Sequence, residues 1–335
     1  MKRSLFLFFI VFLFFGLDIC FPSIRCIVPL ADAAPVVDSP FIRVGILPVV
    51  ESLPFWIAQE KGIFRSLGLK VEIVPFASAL ERDSAIQSGR IQAAICDLLG
   101  LCLFKNRGVP FTVVTNMTVP TPTRALYTLV ASPKSKIQTA GELRGAAVGL
   151  SSHTIAQYAL EGILSREGLK STEVREVEVK RIPLRFQMLL EGKIDAAIVP
   201  EPFGSLALVE GARRLGGDFG LKGTQTILIF QESFIERHSQ VFTLLGRAYG
   251  QALGALKINP QSGWDLLVNK GGLPSRIKDI GMGSPLCEVQ LPGREDIEGI
   301  ESWMRAKGME VPSLGYRALV NDRWAKDASV SGATR

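Results

Sequence analysis

Histidine is nearly missing from this 335-residue chain. His153 and His238 are the only two, 85 positions apart, and no cysteine flanks either at ligand spacing, so no zinc centre or other metal site is expected. Catalytic signatures are missing as well. There is no G-x-S-x-G elbow, no glycine-rich phosphate loop and no paired metal carboxylates, and the tempting cluster of His153 beside Ser151 and Ser152 lacks a residue to orient it. Basic runs interleaved with aromatics do not occur either. The 38 Lys and Arg against 32 Asp and Glu leave a net +6 spread evenly along the chain, which argues against a nucleic-acid groove and suits solubility with a bias toward anionic partners. The longest apolar run, residues 5–17, has thirteen residues and is too short to cross a bilayer comfortably.

That short run follows Lys2 and Arg3 and precedes the small-residue stretch Ala31-Asp32-Ala33-Ala34. A basic start, a short apolar core and an A-x-A site predict a secretory signal peptide over residues 1–33 and a periplasmic or otherwise extracytoplasmic location. Ile19 before Cys20 and Arg25 before Cys26 argue against a lipid anchor, which needs a small residue there. Cys96, Cys102 and Cys287 would remain, an odd number, and buried free thiols are expected rather than a full set of disulfides.

The remaining chain repeats itself. SGRIQAAICDLLG, residues 88–100, is echoed by EGKIDAAIVPEPFG, residues 191–204. Val44-Gly45-Ile46 answers Val148-Gly149-Leu150, Ile57-Ala58-Gln59 answers Ile155-Ala156-Gln157, and GIFRSLGLK from Gly62 answers GILSREGLK from Gly162. The order is the same and the offsets stay close to one hundred residues, as a duplication with loop insertions requires. Short Val-, Ile- and Ala-rich segments at residues 42–47, 71–75, 91–96, 146–150, 174–179 and 194–199 lack clean alternation, which predicts strands covered on both faces in parallel sheets. Amphipathic stretches with Gly at their ends lie between them. The pattern predicts an α/β protein of two Rossmann-like lobes with a central cleft and two crossovers. The boundaries expected are residues 41–125 plus 226–325 for the first lobe, 126–225 for the second, and a tail from 326 to 335.

In open α/β sheets, ligands bind beyond the strand carboxyl ends. The loops there carry the candidate ligand residues: Glu51, Ser52, Trp56, Phe76, Ser78, Cys96 and Asp97 in the first copy, and Ser151, Ser152, His153, Thr154, Glu201 and Phe203 in the second. Ser151, Ser152 and Thr154 stand where a strand turns into a helix, a setting for an anion at a helix N-terminus or for simple N-capping. Trp56, beside Phe55, suits either stacking on a solute or packing in the core. Glu201 and Asp97 fall in matching loops; Glu201 has either a solute contact or a scaffold role in capping nearby backbone N–H groups.

SLPFWIAQEKGIFRSLGLKVEIVPF, SGRIQAAICD, LRGAAVGLSSHT, LLEGKIDAAIVPEPF and EDIEGIESWMRAKG together resemble the solute-binding proteins of ABC importers for nitrate, aliphatic sulfonates, taurine and thiamine-pyrimidine precursors. The resemblance covers residues 41–325. It implies the type II periplasmic-binding-protein fold and a non-catalytic, monomeric receptor without cofactor. Such a receptor closes on a small polar or anionic solute and hands it to a membrane permease driven by an ATPase. Glu201-Pro202 matches the family's acidic residue and proline after the second AAI strand, whereas Cys96-Asp97 departs from the Gly-Asp or small residue common after the first. The alternative readings are an exported enzyme and the binding module of a sensor on the same scaffold. Only AKDASVSGATR follows Trp324, which argues against a sensor.

Overall fold

A computed structural model describes residues 40–280, 286–311 and 315–332; the expected export signal, its cleavage position, Cys20 and Cys26 lie outside them. The first half of the chain runs β1 (Phe41–Ile46), α1 (Leu53–Glu60), α2 (Ile63–Ser66), β2 (Lys70–Pro75), α3 (Ala79–Gln87), β3 (Ala93–Asp97), α4 (Leu98–Asn106) and β4 (Phe111–Thr118). It continues with β5 (Tyr127–Ala131), β6 (Ala147–Leu150), α5 (Ile155–Arg166), β7 (Arg175–Glu178), α6 (Ile182–Leu190), β8 (Ala196–Pro200), α7 (Phe203–Val209) and β9 (Arg213–Gly217). After β10 (Thr226–Gln231) the chain is helical: α8 (Glu232–Arg237), α9 (Ser239–Ile258), α10 (Gln261–Asn269), α11 (Arg294–Ala306), α12 (Tyr316–Leu319) and α13 (Arg323–Gly332).

Two five-stranded sheets result, ordered β2-β1-β3-β10-β4 and β7-β6-β8-β5-β9. The first three strands of each are parallel, and the two copies share one register: Val44 and Gly45 stand beside Ala93 and Ala94, Val148 and Gly149 beside Ala196 and Ala197. Ile42, Val44 and Ile46 are fully buried, and every residue of β8 is buried, which explains why these strands read as apolar runs rather than alternating ones.

The sheets are mixed, not wholly parallel. β10 runs antiparallel between β3 and β4, and β5 runs antiparallel between β8 and β9. Connectivity dictates this. Each of these strands arrives from the other sheet, and each enters at the end where its neighbour finishes: Thr226 pairs with Asp97, Tyr127 with Pro200. The two crossing segments, residues 119–126 and 218–225, therefore leave and return at the same face.

The helical tail packs on the first sheet's side. Trp324 stacks on Phe242 with ring centroids 5.2 Å apart, meets Phe230 at 5.6 Å, and donates from Nε1 to the Phe242 carbonyl at 3.0 Å. Among the described residues no helix is long and apolar enough to cross a membrane.

Candidate functional site

The carboxyl ends of both sheets face one cavity of about 60 Å3. At roughly 10–15 Å3 per water this holds a few waters or a compact solute. Both lobes contribute to its walls, and the two walls differ in charge.

On the second wall, Gly149 in β6 lets α6 come close. A Cβ there would lie 2.5 Å from Ile194 Cδ1 and 3.4 Å from Arg185 Cγ. Arg185 crosses this gap, is 2% exposed, lines the cavity and donates from Nη1 to the Val179 carbonyl at 2.9 Å. Its Nε is buried without a hydrogen-bond partner, and no carboxylate pairs with it among the described residues. Burial pulls its pKa down to about 10, against smaller opposing effects of Tyr127 and Glu178, so it remains charged at neutral pH. An unpaired buried charge costs several kcal/mol, of order 3–5 by the penalty for breaking buried pairs, unless something supplies the counter-charge. The N-terminus of α5 faces the same space. Thr154 caps it, accepting from the Ala156 N–H at 3.3 Å while its hydroxyl donates to the Ser151 carbonyl at 2.7 Å, and both residues line the cavity.

The first wall repeats the construction with a different outcome. Gly45 admits Arg82, which is 2% exposed and donates to the Ile95 carbonyl at 2.7 Å. Here the guanidinium is neutralised: Asp83 lies 2.7 Å away, and Asp83 and Asp97 outweigh the burial that opposes its charge. Asp97 caps α4 by accepting from the Gly100 N–H at 2.7 Å. Burial raises its pKa against the lowering effect of Arg82. Cys96 is buried beside it with its thiol pushed up by burial.

Glu51 is 5% exposed and lines the cavity, and its Oε1 accepts from Thr118 and from Thr226, each at 3.0 Å. Those two threonines stand where the chain leaves the first sheet and where it re-enters, so one carboxyl oxygen ties both crossing segments at their roots. Its Oε2 is buried without a partner, and burial raises its pKa, aided by nearby Glu201.

Of the residues expected to touch a ligand, Glu51, Cys96, Asp97, Ser151 and Thr154 line the cavity. The others lie elsewhere. Ser52 is fully buried and donates to the Leu47 carbonyl at 2.6 Å. Trp56 is 3% exposed in the core, because the first turn of α1 faces the helical tail rather than the cleft. Phe76 packs over Gly45 and borders a separate surface hollow with Arg43 and Glu72. Ser78 is the cap of α3, accepting from the Glu81 N–H at 3.2 Å. Ser152 is turned away, donating to Glu178 Oε2 at 2.5 Å, and His153 is exposed at φ 57° with its N–H bonded to Gln157 Oε1 at 2.8 Å.

Phe203 packs on Phe186 with centroids 5.4 Å apart. Glu201 is 6% exposed and accepts from Thr128 Oγ1 at 3.3 Å and the Ser205 N–H at 3.2 Å, next to a cis peptide to Pro202. The shared register makes Pro200, not Glu201, the counterpart of Asp97, and Pro200 lines the cavity. Arg82, Tyr127, Lys180 and Arg185 also line the cavity and were not among the candidate ligand residues, although the sequence places residues 181–185 in a loop at a strand end of the second lobe. The arginines were findable as a pair 103 positions apart inside the repeat.

Contacts also join the lobes around the rim. The Ile182 N–H donates to the Ala77 carbonyl at 3.2 Å and Arg181 lies 3.4 Å from Glu81. Farther along, Trp303 Nε1 donates to Glu161 Oε2 at 2.8 Å, and the Lys307 ammonium sits 2.7 Å from Glu161 Oε1.

Comparison with known proteins agrees with this architecture. The solved structure of the alkanesulfonate-binding protein SsuA from Xanthomonas axonopodis pv. citri bound to MOPS covers 85% of this chain and 98% of its own, with a TM-score of 0.70 at 19% identity, which establishes a shared fold. The nitrate import ATP-binding protein NrtC of Synechococcus elongatus is 32% identical over 81 residues, 23% of this chain. The yeast Saccharomyces cerevisiae enzyme 4-amino-5-hydroxymethyl-2-methylpyrimidine phosphate synthase THI13 is 24% identical over 169 residues, 50% of this chain. The chain spans only 12% and 48% of the lengths of these two relatives. A family model described as NMT1/THI5 like matches residues 50–262, which takes in both walls of the cleft and both crossing segments. The chain therefore belongs to the NMT1/THI5 like family.

Proposed function

We propose that this protein is the substrate-binding component of an ABC importer. It captures a small polar or anionic solute between its lobes outside the cytoplasm and delivers it to a membrane permease driven by an ATPase. One observation carries the reading: a cavity shared by two lobes contains a buried guanidinium, Arg185, with an unpartnered Nε and, among the described residues, no carboxylate in ion-pair contact with it. A bound anion supplies the missing charge and, by touching both lobes, favours the state in which they meet.

The site's own groups argue against nucleophilic chemistry. Cys96, the cavity's thiol, is pushed up by burial, and His153 is exposed outside the cavity, which argues against a thiolate or imidazole nucleophile there.

A thermal-shift screen of the protein against nitrate, alkanesulfonates, carboxylates and aminopyrimidines tests the reading. A solute at a hundredfold over its dissociation constant should add about 2.7 kcal/mol of stability. No shift with any of them sinks it, and turnover of one would point to an enzyme instead.

A further inference from the structure

Among the described residues, several buried side-chain atoms lack hydrogen-bond partners, and just two of the residues that carry them line the cavity: Arg185, through Nε, and Glu51, through Oε2. They belong to opposite walls and have opposite hydrogen-bonding character. The Arg185 atom is an N–H that needs an acceptor. The Glu51 atom is a carboxyl oxygen whose twin already accepts from both Thr118 and Thr226.

The internal duplication shows how this polarity arises. Arg82 and Arg185 occupy matching places, each crossing the glycine of its own lobe's first parallel strand. Arg82 has Asp83 beside it and Asp97 close by. In the second copy those positions are Phe186 and Pro200; Glu178, the acid that acts on Arg185, accepts from the Ser152 N–H and hydroxyl, and Glu201, next to Pro200, is engaged by Thr128 and the Ser205 N–H. The second wall is left with an uncompensated cation, reinforced by Lys180 and the capped N-terminus of α5. The first wall presents two carboxyls, Glu51 and Asp97, whose only cationic neighbour in the wall, Arg82, is already paired.

We propose, building on the capture reading above, that the solute is amphoteric and bound in one orientation, its anionic group at Arg185 on the second wall and a hydrogen-bond-donating nitrogen at Glu51 and Asp97 on the first. A solute with the anion alone leaves Glu51 Oε2 without a donor and a carboxyl-rich wall facing it. One with the nitrogen alone leaves Arg185 without a counter-ion. The same bipolar solute bridges the lobes, so recognition and closure draw on the same two contacts.

The test uses matched sets of probes: ω-amino sulfonates and ω-amino carboxylates of two to four carbons, the same anions without the nitrogen, and the corresponding amines without the anion. Dissociation constants are measured by calorimetry on wild type, Asp97→Asn and Arg185→Met, with circular dichroism to confirm folding. Asn keeps the helix cap that Asp97 provides. The expected result is that at least one amino-anion binds about tenfold or more tightly than either of its halves, a difference of about 1.4 kcal/mol. Asp97→Asn should narrow that preference without weakening the nitrogen-free anion, while Arg185→Met should weaken both. If nitrogen-free anions bind as tightly as their amino partners, the amphoteric assignment is overturned and the capture reading stands. If no probe binds, and the broader screen of nitrate, sulfonates and aminopyrimidines is also blank, both fall.

Discussion

Glu51 shows how one side chain's burial is written into the pH dependence of the whole fold. Its ordinary pKa of 4.5 is raised by burial, and the folded state therefore holds the proton to higher pH than the unfolded chain does. The sign follows from proton counting. Between the unfolded and folded values the native state binds more protons, so stability is greatest below the unfolded pKa and is lost as pH rises through the folded one. Asp97, Glu201 and Asp218 are raised for the same first reason and act in the same direction. Urea unfolding at a series of pH values should show the protein gaining stability on acidification from neutral toward pH about 5. Glu51→Gln should flatten that gain by up to about 1.4 kcal/mol per pH unit within the window; equal slopes in the two proteins would contradict it. At this scale the sequence was partly legible. Asp97, Ser151 and Thr154 were found because strand ends and helix starts are readable from composition. Arg185 was placed within a cleft-side stretch, residues 181–185, but not singled out, since IPLRFQMLL shows an ordinary helix with one basic residue, and only the close approach over Gly149 reveals that this residue points inward.

Among the elements, the short turn into α7 is tightly built. A Cβ on Gly204 would fall 2.6 Å from Glu201 Oε1 and 2.8 Å from Thr128 Oγ1, inside the network that holds the Glu201 carboxyl. Gly204→Ala should cost about 1–3 kcal/mol, the usual range for overpacking, and chemical denaturation measures it directly. A neutral substitution would show that the turn has slack. Gly149→Ala offers a complementary experiment. Its Cβ would press on Ile194 and Arg185, so it should weaken solute binding as well as stability, whereas the matching Gly45→Ala disturbs Arg82, a residue already paired within its own wall. The parallel triplets of strands and their intervening helices were visible in the repeat. The antiparallel strands were not recognised as such, because β5 and β10 owe their direction to where the chain re-enters each sheet, a long-range fact with no local signature. Trp56 and Phe203 looked like cleft aromatics for a similar reason. Sequence marks them as large and apolar, but only the packing of the helical tail and of Phe186 decides which way they face.

At the scale of the molecule, the lobes are held together by contacts that lie away from the cavity. Glu161 receives Trp303 and Lys307 on one side, and Arg181 meets Glu81 on the other. These contacts help the closed arrangement without touching the solute. Trp303→Phe removes one neutral donor worth about 0.5–1.5 kcal/mol, so solute affinity should fall by about two- to twelvefold, mainly through faster release. Stopped-flow measurement of the dissociation rate checks this; an unchanged rate would mean the contact persists when the lobes part.

The interleaving of the first sheet also sets the order in which the molecule can assemble. The second sheet draws all its strands from residues 127–217, an unbroken stretch, whereas the first cannot fill the gap between β3 and β4 until β10 arrives more than a hundred residues after β4. Closing such a loop carries an entropic cost before any pairing rewards it, and sheets built from distant segments form slowly. The second lobe should therefore be the earlier folding unit, with backbone amides of β5 and β8 protected from hydrogen exchange before those of β3 and β10. A newly emerging chain would then spend part of its life with one finished lobe and one open-centred sheet, whose unpaired β3 and β4 edges are the surface most in need of a chaperone.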